Sequence, residues 1–539
     1  MKQDPIEPLR QLIEALRKPG VLDHDTDRFE TIETHISIVL LTGQYAYKFK
    51  KPVDLGFVDF SSLDKRRYYC EEELRLNRRL APDLYLDVVA IGGSYVQPVP
   101  DQEPAIEYCV KMRQFPRAAE LEQVLKDHAV EPGDFIELAK GIAAFHDSAA
   151  KAPPDSPYGT ANEVRRQCLD NFETIGAGLS DANLSGELRP LRDWTDAELE
   201  HCAIIIDRRH DSGRVRECHG DLHVTNMIHL QGRIQVFDCI EFNDEFRWID
   251  VMSEIAFLLM DLDMRGRAAL GHAFLNAYLE AGGDYPGLSL LRLYRVYRSM
   301  VRAKIAYLRA GQDSGDKKTR RRFTEHIRLA HRYTEPTVSP VLVITRGFSG
   351  SGKTTLTDEL IPLAGAVRVR SDVERKRLEG MSASEQSHSG IGQGLYDPSH
   401  TERTYERLAE CAESILRAGL PAIVDATFLA AEQRLRFFNL AQSLNVPFRI
   451  LDCQAPEDVL RQRICQRARQ GRDASEADTA VLDRQLSSAD PLSAWERQYL
   501  VELDTQQPSD PGQLADRLEI RGQFTDSTSF PRPGVKRNR

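Results

Sequence analysis

Apolar positions along the chain follow two different periods. In residues 5–18, Ile6, Leu9, Leu12, Ile13 and Leu16 recur at helical spacing, and Pro19-Gly20 ends the pattern. THISIVLL and YAYKFK come next, β-branched or alternating runs joined by Thr42-Gly43-Gln44, which predicts a hairpin. A helical pattern begins near Leu63 and carries CEEELRLNRRL, residues 70–80. DLYLDVVAI (83–91) and AIEYCVKMRQF (105–115) predict two more strands. Residues 1–115 therefore predict a small, mostly antiparallel sheet with one long helix. From 116 the period becomes helical: FIELAKGIAAFHDSAA is amphipathic, KAPPDSPYGT (151–160) is a loop, and 185–210 is a helical tract. Residues 214–243 predict loop, short strand, a Gln231-Gly232-Arg233 turn, short strand and loop. Helices fill about 249–333. HRYTEPTVSP (331–340) holds two prolines and no strong period, so it is the expected linker. VLVITRGFSGSGKTTL (341–356) then predicts a buried strand, a glycine-rich turn and a helix start. Residues 521–539 are polar and expected to be disordered.

Composition narrows the class. A chain of 539 residues is too long for one core and predicts two to four domains. Net charge of −11 counts against a chain-wide nucleic-acid or anionic-membrane binder, while leaving room for a local basic patch. The nine cysteines are scattered with no C-x-x-C pair, which points to a reducing compartment rather than a disulfide scaffold or zinc cluster. No apolar run approaches the ~18 residues of a membrane span. The first residues carry an early acid and no apolar core, so no signal peptide is expected and a cytoplasmic location is.

The chemistry starts at Gly347, Gly352, Lys353 and Thr354, which fit G-x-x-x-x-G-K-[ST]. Backbone N–H groups of such a loop wrap a polyphosphate, and the following helix adds its N-terminal dipole. Gly347, Ser349, Gly350, Ser351, Gly352, Lys353, Thr354 and Thr355 are the candidate ATP-binding residues, with the Thr354 hydroxyl also a Mg²⁺ ligand. Asp372, just past the next strand, is the candidate catalytic carboxylate facing an acceptor hydroxyl, as a base or as an orienting group, and Arg375 suits an anionic substrate. Asp425 ends a further apolar strand and is the candidate metal-shell carboxylate. Arg463 and Arg467, four residues apart among Arg461, Arg469 and Arg472, are candidate lid arginines over ATP.

A second set lies earlier. HGDLHVTN, residues 219–226, sets Asp221 five residues before Asn226, and IQVFD sets Asp238 at a strand end twelve residues later. Phosphoryl transfer needs an acceptor-orienting carboxylate, an amide oxygen on Mg²⁺ and a second carboxylate on the metal. Asp221 is the candidate catalytic residue; Asn226 and Asp238 are candidate metal ligands. This spacing resembles the protein-kinase catalytic loop and metal-binding Asp, and H-G-D-x-x-x-x-N resembles the aminoglycoside phosphotransferase branch. That resemblance implies Lys48 as the phosphate-anchoring lysine and Glu73 as its helix partner, with Glu72 the competitor. It implies CVKMRQF as the hinge that meets adenine. No G-x-G-x-x-G precedes Lys48. His219 reads as a loop-bracing residue, since no third His or Cys stands at ligand spacing beside it and His223. Arg247 is expected to contact Glu241 or Asp250. Residues 341–520 resemble the P-loop kinases that include zeta-toxin, gluconate kinase and polynucleotide kinase.

The whole order resembles bacterial fusions described as bifunctional aminoglycoside phosphotransferase/ATP-binding proteins. The expected fold is an α+β two-lobed protein-kinase-like domain followed by an α/β P-loop NTPase domain with a parallel sheet. The expected domains are an N-lobe (1–115), a helical C-lobe with the catalytic loop (116–333), a P-loop kinase domain (341–520) and the tail. The expected function is ATP- and Mg²⁺-dependent phosphoryl transfer to small-molecule acceptors at two sites. The alternatives are a P-loop ATPase switch that regulates the kinase-like part and, less favoured by the acidic charge, a nucleic-acid end kinase.

Overall fold

The computed structural model describes residues 5–520, apart from 19, 23, 27, 57, 93–96, 100–103, 128–129, 178–181, 313–316, 336–339, 384, 386–396, 471–474 and 476. Part of the expected linker, Arg472 and the expected disordered tail lie outside the described residues. The chain forms two compact units. The first takes residues 1–130, 145–164 and 203–258; the second takes 131–144, 165–202 and 259–539.

In the first unit, six strands form one antiparallel sheet: β1 (Glu30–Glu33), β2 (Ser37–Leu41), β3 (Tyr45–Lys50), β4 (Tyr85–Gly92), β5 (Gln97–Val99) and β6 (Ala105–Arg113). Their spatial order is β1-β2-β3-β6-β4-β5. The β2–β3 hairpin pairs Leu41 with Ala46 around Gly43, whose φ of 88° suits the turn. One face packs on the amphipathic Glu7–Leu16 helix through Leu9, Ile13, Leu16, Ile38, Leu40 and Phe49. The Leu63–Asn77 helix starts at Ser62, whose hydroxyl accepts the Lys65 N–H, and Cys70 on it joins Tyr85, Val110 and Ile228 in a second cluster. Two short antiparallel pairs complete the unit: β7 (Val215–Glu217) with β10 (Trp248–Asp250), and the hairpin β8 (Met227–Leu230) with β9 (Arg233–Val236).

The second unit carries a five-stranded, all-parallel sheet in the order β12-β13-β11-β14-β15. Its strands are β11 (Leu342–Arg346), β12 (Val367–Arg370), β13 (Ala422–Asp425), β14 (Phe448–Gln454) and β15 (Leu500–Asp504). Leu342, Val343, Ile344, Ile423 and Val424 are fully buried, as strands covered on both faces must be. The central β11 runs straight into the glycine-rich turn and the Lys353–Ala364 helix. The expected kinase-like part and parallel P-loop part are thus the observed fold class.

The helices Ala268–Gly282, Leu288–Gln312 and Lys317–Thr334 belong to this second unit. The first of them lies along the sheet's edge strand, β12. Asn276 donates its side-chain amide to Ala366 O (2.8 Å) and accepts the Arg368 N–H (2.7 Å), which satisfies backbone groups that an edge strand otherwise leaves open. No helix among the described residues is long and apolar enough to cross a membrane.

Candidate active sites

In the first unit, strand alternation sets Lys48 and Lys50 on the same face of β3. Lys48 Nζ donates to Glu73 Oε1 (2.8 Å) and to Asp238 Oδ1 (2.6 Å). Lys50 donates to Glu73 Oε2 (2.8 Å) and to the Glu241 carboxylate. Burial alone would raise the Glu73 carboxyl, but the two ammonium groups outweigh it and hold the group down to about 2. Burial would likewise lower Lys48, yet Asp238 and Glu73 keep it well above its usual value. Burial, with help from Glu73, pushes Glu241 up. Of the two glutamates left open by the sequence, Glu73 meets Lys48, while Glu72 pairs with Arg75 (2.8 Å).

The segment 237–240 is strapped to the 219–226 loop by four hydrogen bonds, one of them from the Cys239 thiol to His219 O (3.2 Å). Phe237 N donates to Asn226 O (3.0 Å), His219 Nε2 donates to Phe237 O (2.9 Å), and Ile240 N donates to His219 O (3.1 Å). His219 Nδ1 then accepts the Asp221 N–H (3.3 Å), so one neutral imidazole links the backbones beside Asp221 and Asp238. Burial lowers the His219 pKa and favours that neutral form. Asn226 Nδ2 donates to Asp221 Oδ2 (2.8 Å) and Asp221 O (3.1 Å), which leaves its amide oxygen as an acceptor. His223 Nε2 lies 3.2 Å from Asp221 Oδ2. Asp238 takes φ 63°, a left-handed conformation that costs energy for a non-glycine residue. Its N–H is held by the Tyr85 hydroxyl (3.1 Å), and the next N–H, of Cys239, by Asn77 Oδ1 (2.8 Å). Gly220 has φ 86°, and a Cβ there would lie 2.7 Å from Phe246 O, so the glycine of H-G-D is sterically required.

Beneath the loop, Glu254 accepts the His219 N–H with both oxygens (2.9 and 3.0 Å). Burial opposes its charge, but the neighbouring His146 holds it down to about 2. His146, Cys218 and Glu254 bring potential ligand atoms within 4.8 Å of one another, a grouping that the spacing of His219 and His223 did not suggest. Burial pushes the Cys218 thiol well above its usual value, so it stays protonated, and it donates to Ile249 O (3.5 Å). These groups read as a hydrogen-bonded floor for the loop. Of the two acids expected for Arg247, it meets Glu241, donating to its backbone carbonyl (3.2 Å), and it also pairs with Glu217 (3.3 Å); Asp250 is held instead by Arg209 with two bonds (2.7 and 2.8 Å).

In the second unit, a cavity of about 800 Å³ opens over the C-terminal ends of β11, β12 and β13, the position where parallel sheets bind ligands. Gly350, Gly352, Lys353, Thr354, Thr355, Asp372, Asp425, Arg463 and Arg467 line it, with Ser349 beside them. Gly347 has φ 147°, and a Cβ there would meet Cys453 O at 2.5 Å and Ser351 Oγ at 2.6 Å. Lys353 Nζ donates to Gly347 O (3.0 Å) and Phe348 O (2.9 Å), so the loop curls around the ammonium group, and burial lowers its pKa. Thr354 Oγ1 donates to Asp425 Oδ2 (2.7 Å). Asp372 pairs with Arg375 (3.1 Å). Arg463 donates to Gly350 O (3.3 Å) and to Thr505 O (2.9 Å), and Arg467 to Ala477 O (3.0 Å). Gln485 brackets Ser349, accepting its N–H (2.9 Å) and donating to its hydroxyl (3.1 Å).

Some site residues escaped sequence reasoning. Lys50 was legible as the same-face neighbour of Lys48, but Asn77, Tyr85 and Gln485 carry no motif. Arg370 lines the cavity and is held by Glu280 (3.2 Å), which also reaches Arg368 (3.4 Å). Nothing in the local sequence joins residues 90 positions apart.

Comparison with known proteins agrees with both halves. Residues 99–291 match the family model described as a phosphotransferase enzyme family, and residues 342–492 match one described as an AAA domain. An uncharacterized protein of Mycobacterium tuberculosis is 28% identical over 454 residues, covering 84% of this chain and 88% of the relative. Among solved structures, a choline/ethanolamine kinase family protein from Mesorhizobium loti is 11% identical, with a TM-score of 0.40, covering 61% of this chain and 95% of its own. A sugar kinase from Janibacter is 22% identical, with a TM-score of 0.27, covering 35% of this chain and 99% of its own. The chain thus carries a phosphotransferase-family domain followed by a P-loop kinase-like domain and is an enzyme of the kinase/phosphotransferase type.

Proposed function

We propose that the chain is an ATP- and Mg²⁺-dependent phosphotransferase with two nucleotide sites, each serving a small-molecule acceptor. The observation that carries this is the meeting of Lys48 with both Glu73 and Asp238, residues 25 and 190 positions away in sequence. It supplies the first unit with a lysine–carboxylate set of its own, independent of Lys353. We retain 1–115, 116–333 and 341–520 as the functional division.

The residues fit the groups they are asked to hold. Asn226 and Asp238 in one site, and Thr354 and Asp425 in the other, offer hard oxygen donors suited to Mg²⁺. The glycines of 347–352 leave a cradle that a Cβ would fill. Bound Mg²⁺-ATP supplies the transferable phosphoryl group and neutralises its developing charge. Lys48, kept in place by Glu73, and Lys353 would anchor phosphate oxygens. Asp221 orients the acceptor hydroxyl of the first site and takes its proton; Asp372 does the same in the second. Arg463 and Arg467 close over the nucleotide.

Calorimetric titration with a non-hydrolysable ATP analogue and Mg²⁺ tests the reading. Two analogues should bind per protomer, and Lys353→Ala should bind one. A wild-type stoichiometry of one, abolished by Lys353→Ala, would leave the first unit without a site. The Glu280–Arg370 contact favours one second reading, in which the P-loop cavity regulates rather than transfers, since a helix from outside the P-loop segment holds a cavity residue.

A further inference from the structure

The chain is acidic, yet one helical pair is strongly basic. The helices Leu288–Gln312 and Lys317–Thr334 hold thirteen Lys and Arg residues against a single acid, Glu325. Several of these cations serve the fold. Arg292 donates to Tyr333 O (2.6 Å), and Lys304 pairs with Asp170 (2.8 Å). Arg298 is buried and Arg295 lies 3.8 Å from Asp263, whereas all seven cations of the second helix are exposed.

Their placement on the second helix is ordered. Phe323, His326, Ile327, Ala330 and Tyr333 are buried, which fixes the inward face. Lys317, Arg321, Arg328 and Arg332 are exposed. At about 100° per residue these four fall within one stripe of roughly 60°, opposite the buried face. At about 1.5 Å per residue the stripe runs for roughly 22 Å, with gaps of about 6 to 10 Å. Arg321 pairs with Glu325 (2.6 Å) across an exposed surface, a contact that an external anion can displace at little cost. Burial, with smaller contributions from Arg302 and Arg322, pushes the Arg309 guanidinium below its usual value.

We propose that this stripe is a docking surface for the phosphodiester backbone of nucleic acid, read without regard to sequence. Regularly spaced phosphates match a straight row of cations, and guanidinium groups bind phosphate oxygens through paired N–H donors. A membrane fits less well. An interfacial helix needs an exposed apolar face, and this helix has spent its apolar face on packing. None of the four stripe residues lines the P-loop cavity, and the proposal needs no nucleotide at either site.

The test uses the full chain and a fluorescein-labelled duplex DNA of random sequence, about 20 base pairs long, with anisotropy read at salt from about 50 to 200 mM. The plot of log K against log salt should have a slope near −3 to −4, as expected for about four phosphates. Arg321→Gln, Arg328→Gln and Arg332→Gln combined should weaken binding at low salt at least tenfold and bring the slope to about −1. The same three positions changed to Lys should retain the slope, which a loss of fold would not allow. Circular dichroism and nucleotide binding at the Lys353 loop should match wild type in both variants. Absence of wild-type binding at low salt, or a triple Gln variant that binds like wild type, would overturn the proposal. So would stripe-dependent binding to phosphatidylserine vesicles without binding to DNA.

Discussion

Asn276 holds the backbone of Arg368 as a neighbouring strand would. Its amide oxygen takes the Arg368 N–H at 2.7 Å while its NH₂ reaches Ala366 O at 2.8 Å. Four residues on, Glu280 pairs with the Arg368 and Arg370 side chains, and Arg377 returns to the Glu280 and Ala281 carbonyls near the helix end. One helix turn therefore secures both the backbone and the side chains of the edge strand beside the P-loop cavity.

Asn276→Ala should destabilise the second unit. Asn276 is buried, and the change strands a buried N–H and a buried carbonyl, each worth about 1–3 kcal/mol when left unpaired. Urea unfolding followed by fluorescence should show the loss, and proteolysis should cut first near residues 366–372. A midpoint equal to wild type would mean the amide contributes nothing to the edge strand.

The two lysines of β3 should separate fold from function. Lys50 is 1% exposed and shared by Glu73 and Glu241. Lys50→Met leaves excess buried negative charge and should cost about 3–5 kcal/mol. Lys48→Met leaves Glu73 with Lys50, so the fold should survive while nucleotide binding at the first site is lost. Thermal denaturation and analogue titration of the two variants should give opposite patterns.

Asp221→Asn should spare nucleotide binding at the first site and slow transfer by about 10²–10⁴, the usual cost of a lost general base. Asn226 keeps a partner at Asp221 O, so the loop should hold its shape. Single-turnover measurement of phosphoryl transfer, with Lys353→Ala as background, isolates the effect. An unchanged rate would remove Asp221 from the chemistry.

His326 should make the second unit acid-sensitive. Burial, helped by Arg302 and Arg322, lowers its pKa to about 4 from 6.5. The folded pKa lies below the unfolded one, so the unfolded chain takes the proton first. The stabilisation is complete above about 6.5 and is lost as pH falls through about 4, up to roughly 3 kcal/mol. His326→Gln should flatten this part of the urea-midpoint profile relative to wild type. Parallel profiles for the two proteins would show that His326 does not titrate in this window.

Local patterns settled whatever depends on neighbours in sequence. The alternation in YAYKFK, the turn at Gly43, the glycine-rich loop at 347–352 and the H-G-D stretch are short-range constraints of backbone geometry, and each is legible in the sequence. The parallel sheet was legible too, because strands buried on both faces read as continuous apolar runs.

Other features depended on distance through space. That Glu73 rather than Glu72 meets Lys48 turns on the rotation of one helix against a sheet, and two adjacent acids look alike in sequence. That His219 joins the backbones at Asp221 and Phe237 depends on the hairpin's fold-back. The same holds for Asn276 on β12 and for the grouping of His146, Cys218 and Glu254. Sequence alone determined which residues have the chemistry for phosphoryl transfer and the local geometry each one needs. Tertiary structure decided which of them meet, because hydrogen bonds and ion pairs act over about 3 Å, whatever number of residues separates the partners along the chain.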